Sequence, residues 1–347
     1  MAQYYNDIYV RYLRLAALLA FSWGALCCGG AAFGLTRTEI YQTTVPVPDR
    51  SEASQSAAFQ AAMRVVLVRV TGRRSADEDA ALAPLLGSAR RYVQQYRGAP
   101  DSQLWVAFDG PAIERWLTQN GQPLWGRDRP STFVWLGVQT GPQAGILVTA
   151  DDTSELKGAI VAAAAARGVP LVWPSAADLE KNHLDYSSVS GTGTANAGSG
   201  SLGEIARRLG ADGVLIGRAT NATASAGVRW THQFQDRSSE LSGTVEGVNR
   251  AADTYASLFA ASGVLAPVDI EVSGVADLKA YASVQTYLES LSFVSHVSVQ
   301  ALTGDVVKYR LTTRGGVESL QRALALNGRL QSLPVSDNGI QRFQLRR

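Results

Sequence analysis

A serine that opens a helix with a lysine one turn later is one way to make a nucleophile, and Ser154-Glu-Leu-Lys157 has that form. Ser336-Asp337-Asn338 supplies the second motif of the same acyl-transfer chemistry, in the correct order along the chain. The third motif, Lys-Thr-Gly on a strand, is missing, because the few residues after Asn338 contain no lysine. Asp337-Asn338-Gly339 also reads as turn chemistry, and Ser154 with Lys157 as an ordinary solvated first helical turn. A serine acyl transferase or hydrolase using Ser154 and Lys157 is therefore the alternative reading and not the main one.

Gly198-Ser-Gly200-Ser-Leu-Gly203 is a literal G-x-G-x-x-G ahead of a helix, whose first N–H groups can hold phosphate. A dinucleotide site needs a strand before this turn and an acid at the end of the next strand. Here a Gly/Ser/Thr-rich run, Ser187 to Ser201, comes first, and Arg218 to Asn221 carries no acid, so a flexible loop or insertion is expected. His183, His232 and His296 are far apart and lack the pairing of a zinc site or a triad. Asp77-Glu78-Asp79, Asp109 with Glu114, and Asp151-Asp152 are accounted for as helix caps and solvated loops. The remaining constellation is Trp125-Gly-Arg127-Asp-Arg129-Pro130, an aromatic with two arginines, which is the composition of binding hot spots. Trp125, Arg127 and Arg129 are the candidate binding residues, with a structural plug at a domain junction as the competing role. No catalytic residue, metal ligand or cofactor is expected.

The elements that must position these residues read as α+β, in two or three small mixed sheet and helix domains. In the first, 35–131, Thr36 to Pro48 suggests a strand and Asp49 with Glu52 a capping box. Phe59, Met63, Val66 and Val70 follow at helical spacing up to Gly72, a shorter helix comes next, Leu104 to Phe108 is a buried strand, and Pro111 opens another helix. The central α/β domain, 132–265, has strands at Thr132 to Val138 and Gly145 to Thr149, and a helix from Ser154 to Arg167 so apolar that it should lie between other elements. Val169 to Trp173 returns as a parallel strand, Leu202 to Leu209 is a helix, and Gly213 to Ile216 a strand. Val228 to Phe234 and Leu241 to Val248 look like paired strands, with Asn249 to Phe259 as a closing helix. Residues 266–347 give strand, amphipathic helix with Leu278, Tyr281, Val284, Tyr287 and Leu288 inward, hairpin, helix and two short strands. That order is ferredoxin-like βαββαβ.

Composition and the N-terminal segment set the address. Arg11 and Arg14 precede an uncharged stretch, Leu15 to Gly34, that closes on small residues, the form of an export signal over 1–34. An uncleaved anchor is the alternative, since the run is about long enough to span a bilayer. Both cysteines, Cys27 and Cys28, sit inside it, so cleavage leaves a mature chain without thiol chemistry. Net charge is only +2, and no Lys/Arg block occurs, which argues against nucleic acid as a partner.

Met63 to Gly72 (MRVVLVRVTG), Leu104 to Asp109 (LWVAFD), Leu124 to Pro130 before Val134-Trp-Leu136, and Arg167 to Leu171 together resemble the domain of unknown function 2066 family. The resemblance runs from about residue 36 to about residue 262, and the C-terminal unit resembles that family's usual tail. It implies an exported envelope protein of Gram-negative type, with no established activity and no known cofactor. Ala211 to Gly217 followed by Trp230 also looks like the small α/β domains of envelope accessory and outer-membrane assembly proteins. The expectation is a periplasmic, non-catalytic binding or assembly/scaffolding protein, with inner-membrane anchoring as the alternative location. An envelope protein or cell-wall component would be its partner, and membrane contact would come only through residues 15–34 if these are not cleaved.

Overall fold

Ile40 and Tyr41 are neighbours and both are buried, which a strand cannot achieve against one core because it points successive side chains to opposite faces. In a computed structural model of the chain the segment accordingly opens with one helical turn, Arg37–Ile40, where the sequence suggests a strand. The structure describes residues 37–347 except 127, 128, 142, 143, 183, 187, 188, 190–194, 236, 264, 292, 328, 337 and 347. The proposed export signal and both cysteines lie outside these residues. Secondary structure is mixed α+β, and among the described residues the strands form three sheets.

The first sheet has order β1-β3-β2, with β1 at Gln42–Pro46, β2 at Val93–Ala99 and β3 at Gln103–Phe108, all antiparallel. Helix α1, Glu52–Thr71, buries Phe59, Met63, Val66 and Val70 against it, as their spacing predicts. Its cap is Ser51, whose hydroxyl accepts from Ser54 N at 3.1 Å, and Asp49 instead accepts from Ser51 N at 2.8 Å. The expected Asp49–Glu52 box does not form because the helix starts later. Strand β2 has no counterpart in the sequence reading. Five consecutive residues of it are exposed, so it lacks the alternation that marks a strand. Helix α2, Gly110–Gln119, is capped by Asp109, which accepts from Ala112 N at 3.0 Å.

The central sheet runs β5-β4-β7-β8-β9, with β4 at Thr132–Gln139, β5 at Gly145–Leu147, β7 at Gly213–Ala219, β8 at Val228–Phe234 and β9 at Arg237–Ser242. β6, Leu171–Val172, lies parallel to β4, so the expected parallel pair is present but only two residues long. β4 reads as an unbroken apolar run because both its faces are covered. Val134, Leu136 and Val138 meet helices α3 (Glu155–Arg167) and α6 (Glu246–Phe259) on one side. Phe133 and Trp135 meet Leu202, Ile205 and Ala206 of α5 (Ala195–Arg208) on the other, and a short helix α4, Ala176–Lys181, precedes α5. Three expectations are corrected here. α5 begins at Ala195, inside the run expected to be a flexible loop, while 187, 188 and 190–194 lie outside the described residues. α3 is not sandwiched: Val161, Ala162, Ala165 and Ala166 face solvent, which alanine-rich surfaces tolerate because a methyl group adds little apolar area. The chain breaks after Ser242 at Gly243, with φ of 134°, so residues expected to extend a strand to Val248 instead begin α6.

The last sheet runs β11-β12-β10-β14-β13, from β10 (Leu265–Ser273), α7 (Leu278–Ser290), β11 (Val294–Thr303), β12 (Val306–Arg314), α8 (Gly316–Asn327), β13 (Leu330–Leu333) and β14 (Gln341–Leu345). The elements follow the ferredoxin-like order, and the second of the two closing strands inserts between β10 and β13, parallel to β10. Ile270, Val272, Val284, Leu288, Tyr309, Leu311 and Phe343 fill its core. Leu278, expected inward, is 81% exposed, because it directly follows the cap Asp277 and precedes the first inward-facing turn. Among the described residues no helix is long and apolar enough to cross a membrane.

Candidate functional site

Trp125 and Arg129 lie where the first core meets the central one, and both are buried. The Arg129 guanidinium stacks on the Trp125 ring at 4.0 Å and spends its donors on backbone carbonyls. Nε donates to Gly126 O at 2.8 Å, Nη1 to Gly168 O at 2.9 Å, and Nη2 to Arg69 O at 2.7 Å and Trp125 O at 2.8 Å. Arg69 O belongs to the last turn of α1, and Gly168 caps α3, so two helix C-termini converge on one cation. Unsatisfied carbonyls and the partial negative charge of a helix C-terminus are what an arginine satisfies best.

Two further arginines extend the clamp. Arg69 Nε donates to Ala165 O at 2.7 Å and its Nη1 to Gln42 O at 2.7 Å. Arg167 Nη2 reaches Gly72 O at 3.1 Å and Asp253 Oδ1 at 2.5 Å. Burial, opposed by Tyr41 and helped by neighbouring Arg69, leaves the Arg129 pKa pushed down to about 9; burial takes Arg69 to about 10. Both stay charged at neutral pH. The hot-spot composition is thus used internally, with no N–H of Arg129 directed at an incoming ligand; Arg127 lies outside the described residues. Gly168 is left-handed, with φ of 67°, and an added Cβ would stand 2.4 Å from Arg129 Nη1. Gly168→Ala is expected to cost about 2 kcal/mol in urea unfolding, and only about 1 kcal/mol when Arg129 is already alanine, since only the left-handed strain then persists.

The Ser154 and Lys157 pair is present but not joined as nucleophile and base. Ser154 Oγ caps α3 by accepting from Lys157 N at 3.4 Å. Lys157 Nζ donates to Thr149 O and Asp152 O, each at 2.9 Å, and to Ala150 O, and lies 5.4 Å from the Trp173 ring. Three carbonyls for three ammonium donors leave no lone pair aimed at Ser154. Ser336 closes the expected turn through Ile340 O and Gly339 N, on a different sheet, and Asp337 lies outside the described residues. A covalent β-lactam probe is expected to leave the protein unlabelled; labelling abolished by Ser154→Ala would overturn this assignment.

The G-x-G-x-x-G lies within α5 and not ahead of a helix, so no phosphate-binding turn forms there. His232 is buried on β8 beside Tyr255, His296 lies on β11 of another sheet, and His183 lies outside the described residues. The acids also serve locally: Asp79 pairs with Arg73 at 2.7 Å, Glu114 accepts from Tyr41 Oη at 2.6 Å, and Asp152 accepts from Ser154 N at 2.8 Å. Among the described residues no group of three or more His, Cys, Asp or Glu could hold a metal ion.

An opening that the sequence reading missed lies in the first module. A cleft of about 610 Å³ separates the start of α1 from the β2–β3 hairpin, lined by Val47, Asp49, Arg50, Gln55, Tyr96 and Gln103 among others. Tyr96 is 48% exposed and rests edge-on against Phe59, with ring centroids 5.2 Å apart. Arg97, on the opposite face of β2, stacks on Trp105 at 4.3 Å. The hairpin that bounds the cleft holds Asp101 and Ser102 at φ of 57° and 53°, a left-handed pair without glycine. The adjacent Tyr96-Arg97, an aromatic and a cation on a polar strand, is the one signal that could have marked this place in the sequence.

Residues 35–126, which include the whole cleft, match the model of a domain of unknown function, DUF8605. This corrects the resemblance to the domain of unknown function 2066 family. The motifs behind that resemblance are an apolar helix ending on a glycine cap and a buried strand, patterns that unrelated α+β modules share. The Gram-negative envelope setting loses the support of that resemblance. No curated protein and no solved structure matches the chain.

Proposed function

We propose that the chain is an exported, non-catalytic binding protein whose first module grips an extended polypeptide at the cleft beside β2. The observation that carries this reading is the cleft itself, where an open strand edge adjoins a half-exposed aromatic. β2 ends its sheet, so its outer main-chain groups are positioned to pair with an added strand, and Tyr96 on Phe59 offers a fixed apolar anchor for an alternate side chain. Arg50 and Arg97 add polar contacts near the rim. Export rests on Arg11, Arg14 and the apolar run to Gly34. The non-catalytic part is supported by the use of Ser154 and Lys157 in a helix cap and a carbonyl cage.

Panning random linear peptides against the full-length protein tests the site. Enriched peptides are expected to bind Tyr96→Ala and Arg97→Glu about tenfold more weakly while both variants stay folded, with circular dichroism spectra like the parent's. Failure to enrich peptides, or binding indifferent to both substitutions, would refute the reading.

A further inference from the structure

We propose that β11 is a self-association edge, on which a second copy of the chain adds its own β11 antiparallel about a two-fold axis at Ser298. This does not rest on the cleft beside β2, and the two tests fail separately.

β11 stands at one end of the last sheet and is ten residues long. Such an edge normally carries lysine, proline, an inward charge or a bulge to deter pairing, and of these β11 has only bulges. From Leu291 to Gly304 there is no Lys, Arg, Asp, Glu or Pro. The other sheet ends differ: β1 ends on Pro46, β2 carries Arg97, β9 carries Arg237 and Glu240, and β5 and β13 are three and four residues long. Of these edges β11 alone is both long and free of charge, so two identical copies can meet there without repulsion.

Its side-chain pattern is also self-complementary. Shifts of register between Val294 and His296 and between Val299 and Ala301 insert one extra residue each. As a result Val294, Val297, Val299 and Leu302 are the residues opposite Thr313, Leu311, Tyr309 and Val307 of β12, whose side chains are buried beneath the helices. Their spacing of three, two and three residues is a palindrome about Ser298. An antiparallel copy centred there sets Val294 against Leu302 and Val297 against Val299, apolar on apolar along the whole face. On the solvent face it sets His296 against Gln300 and Ser298 against itself. An isologous contact requires this kind of symmetry. Val299 is 39% and Leu302 63% exposed, so this apolar face extends past the helix layer and is available to be covered.

A strand pair with few further contacts falls among the small interfaces, so dimerisation with a dissociation constant of the order of 10 μM is expected. Sedimentation velocity of the full-length protein across that concentration should pass from monomer to dimer. Ser298→Lys and Ser298→Glu should each stay monomeric, and an equimolar mixture of the two should dimerise again. The double variant His296→Glu with Gln300→Lys alters only exposed side chains and places opposite charges across the two-fold, so it should dimerise about tenfold more tightly. A parent protein that stays monomeric throughout would overturn the proposal. Dimers that survive both single substitutions, a mixture that stays monomeric, or a double variant no tighter than the parent would also overturn it.

Discussion

Arg129→Ala is expected to remove on the order of 4 kcal/mol of stability, the largest loss from any single side chain at the junction. The loss comes from what the guanidinium leaves behind. Gly126, Gly168, Arg69 and Trp125 would each retain a carbonyl that no longer receives its N–H, in a place where the arginine was almost wholly buried. Arg129→Lys keeps the charge but lacks the planar fork, so it should recover less than half. Because the clamp joins the end of α1 to the end of α3, the alanine variant should also unfold less cooperatively, with the first module melting before the central sheet. Urea titration followed by both tryptophan fluorescence and far-ultraviolet circular dichroism measures both effects. A midpoint within about 0.5 kcal/mol of the parent would show the clamp to be incidental.

Acid should destabilise the central sheet through His232. Burial, helped by the nearby Arg250 cation, pushes its pKa down to about 4 from an ordinary value of 6.5. The unfolded chain then takes up the proton first. Stability is full above about pH 6.5, falls as pH drops towards 4, and is not lost further through this group below that. The whole loss is at most about 3 kcal/mol. The imidazole Nε2 is buried with no hydrogen-bond partner among the described residues, so no contact at that nitrogen offsets protonation. His232→Leu should flatten the stability profile between pH 6.5 and 4 and leave neutral stability nearly unchanged. A profile equally steep in this variant would assign the acid sensitivity to the carboxylates.

Periodicity carried most of the fold. Helix α1 is legible from Phe59, Met63, Val66 and Val70, α3 from its Ser154 start and its Gly168 stop, and β4 from an unbroken apolar run. Patterns of this kind exist because burial on one face writes itself into spacing. β2 was illegible for the complementary reason: an exposed strand buries nothing and therefore writes nothing. The candidate binding residues raise a different point. Trp125 and Arg129 have the composition of a recognition patch, yet composition does not tell whether a guanidinium meets a ligand or a main-chain carbonyl. Here the carbonyls come from residues 60 and 39 positions away. The Ser154 motif lacks its partner motifs in the sequence, and the structure adds a local observation that no spacing shows, a lysine whose donors go to three carbonyls.

The insertion of β14 between β10 and β13 bears on when the last sheet can form. Two of its neighbouring strands, β10 and β13, have no direct pairing and are joined only through residues 341–345, which leave the ribosome some seventy residues after β10. During synthesis or passage through a pore, β10 to β12 can pair early, but the sheet stays divided until this strand emerges. Over that interval the open side of β10 is a temporary template for strand addition, and a chaperone with affinity for extended segments would find it there.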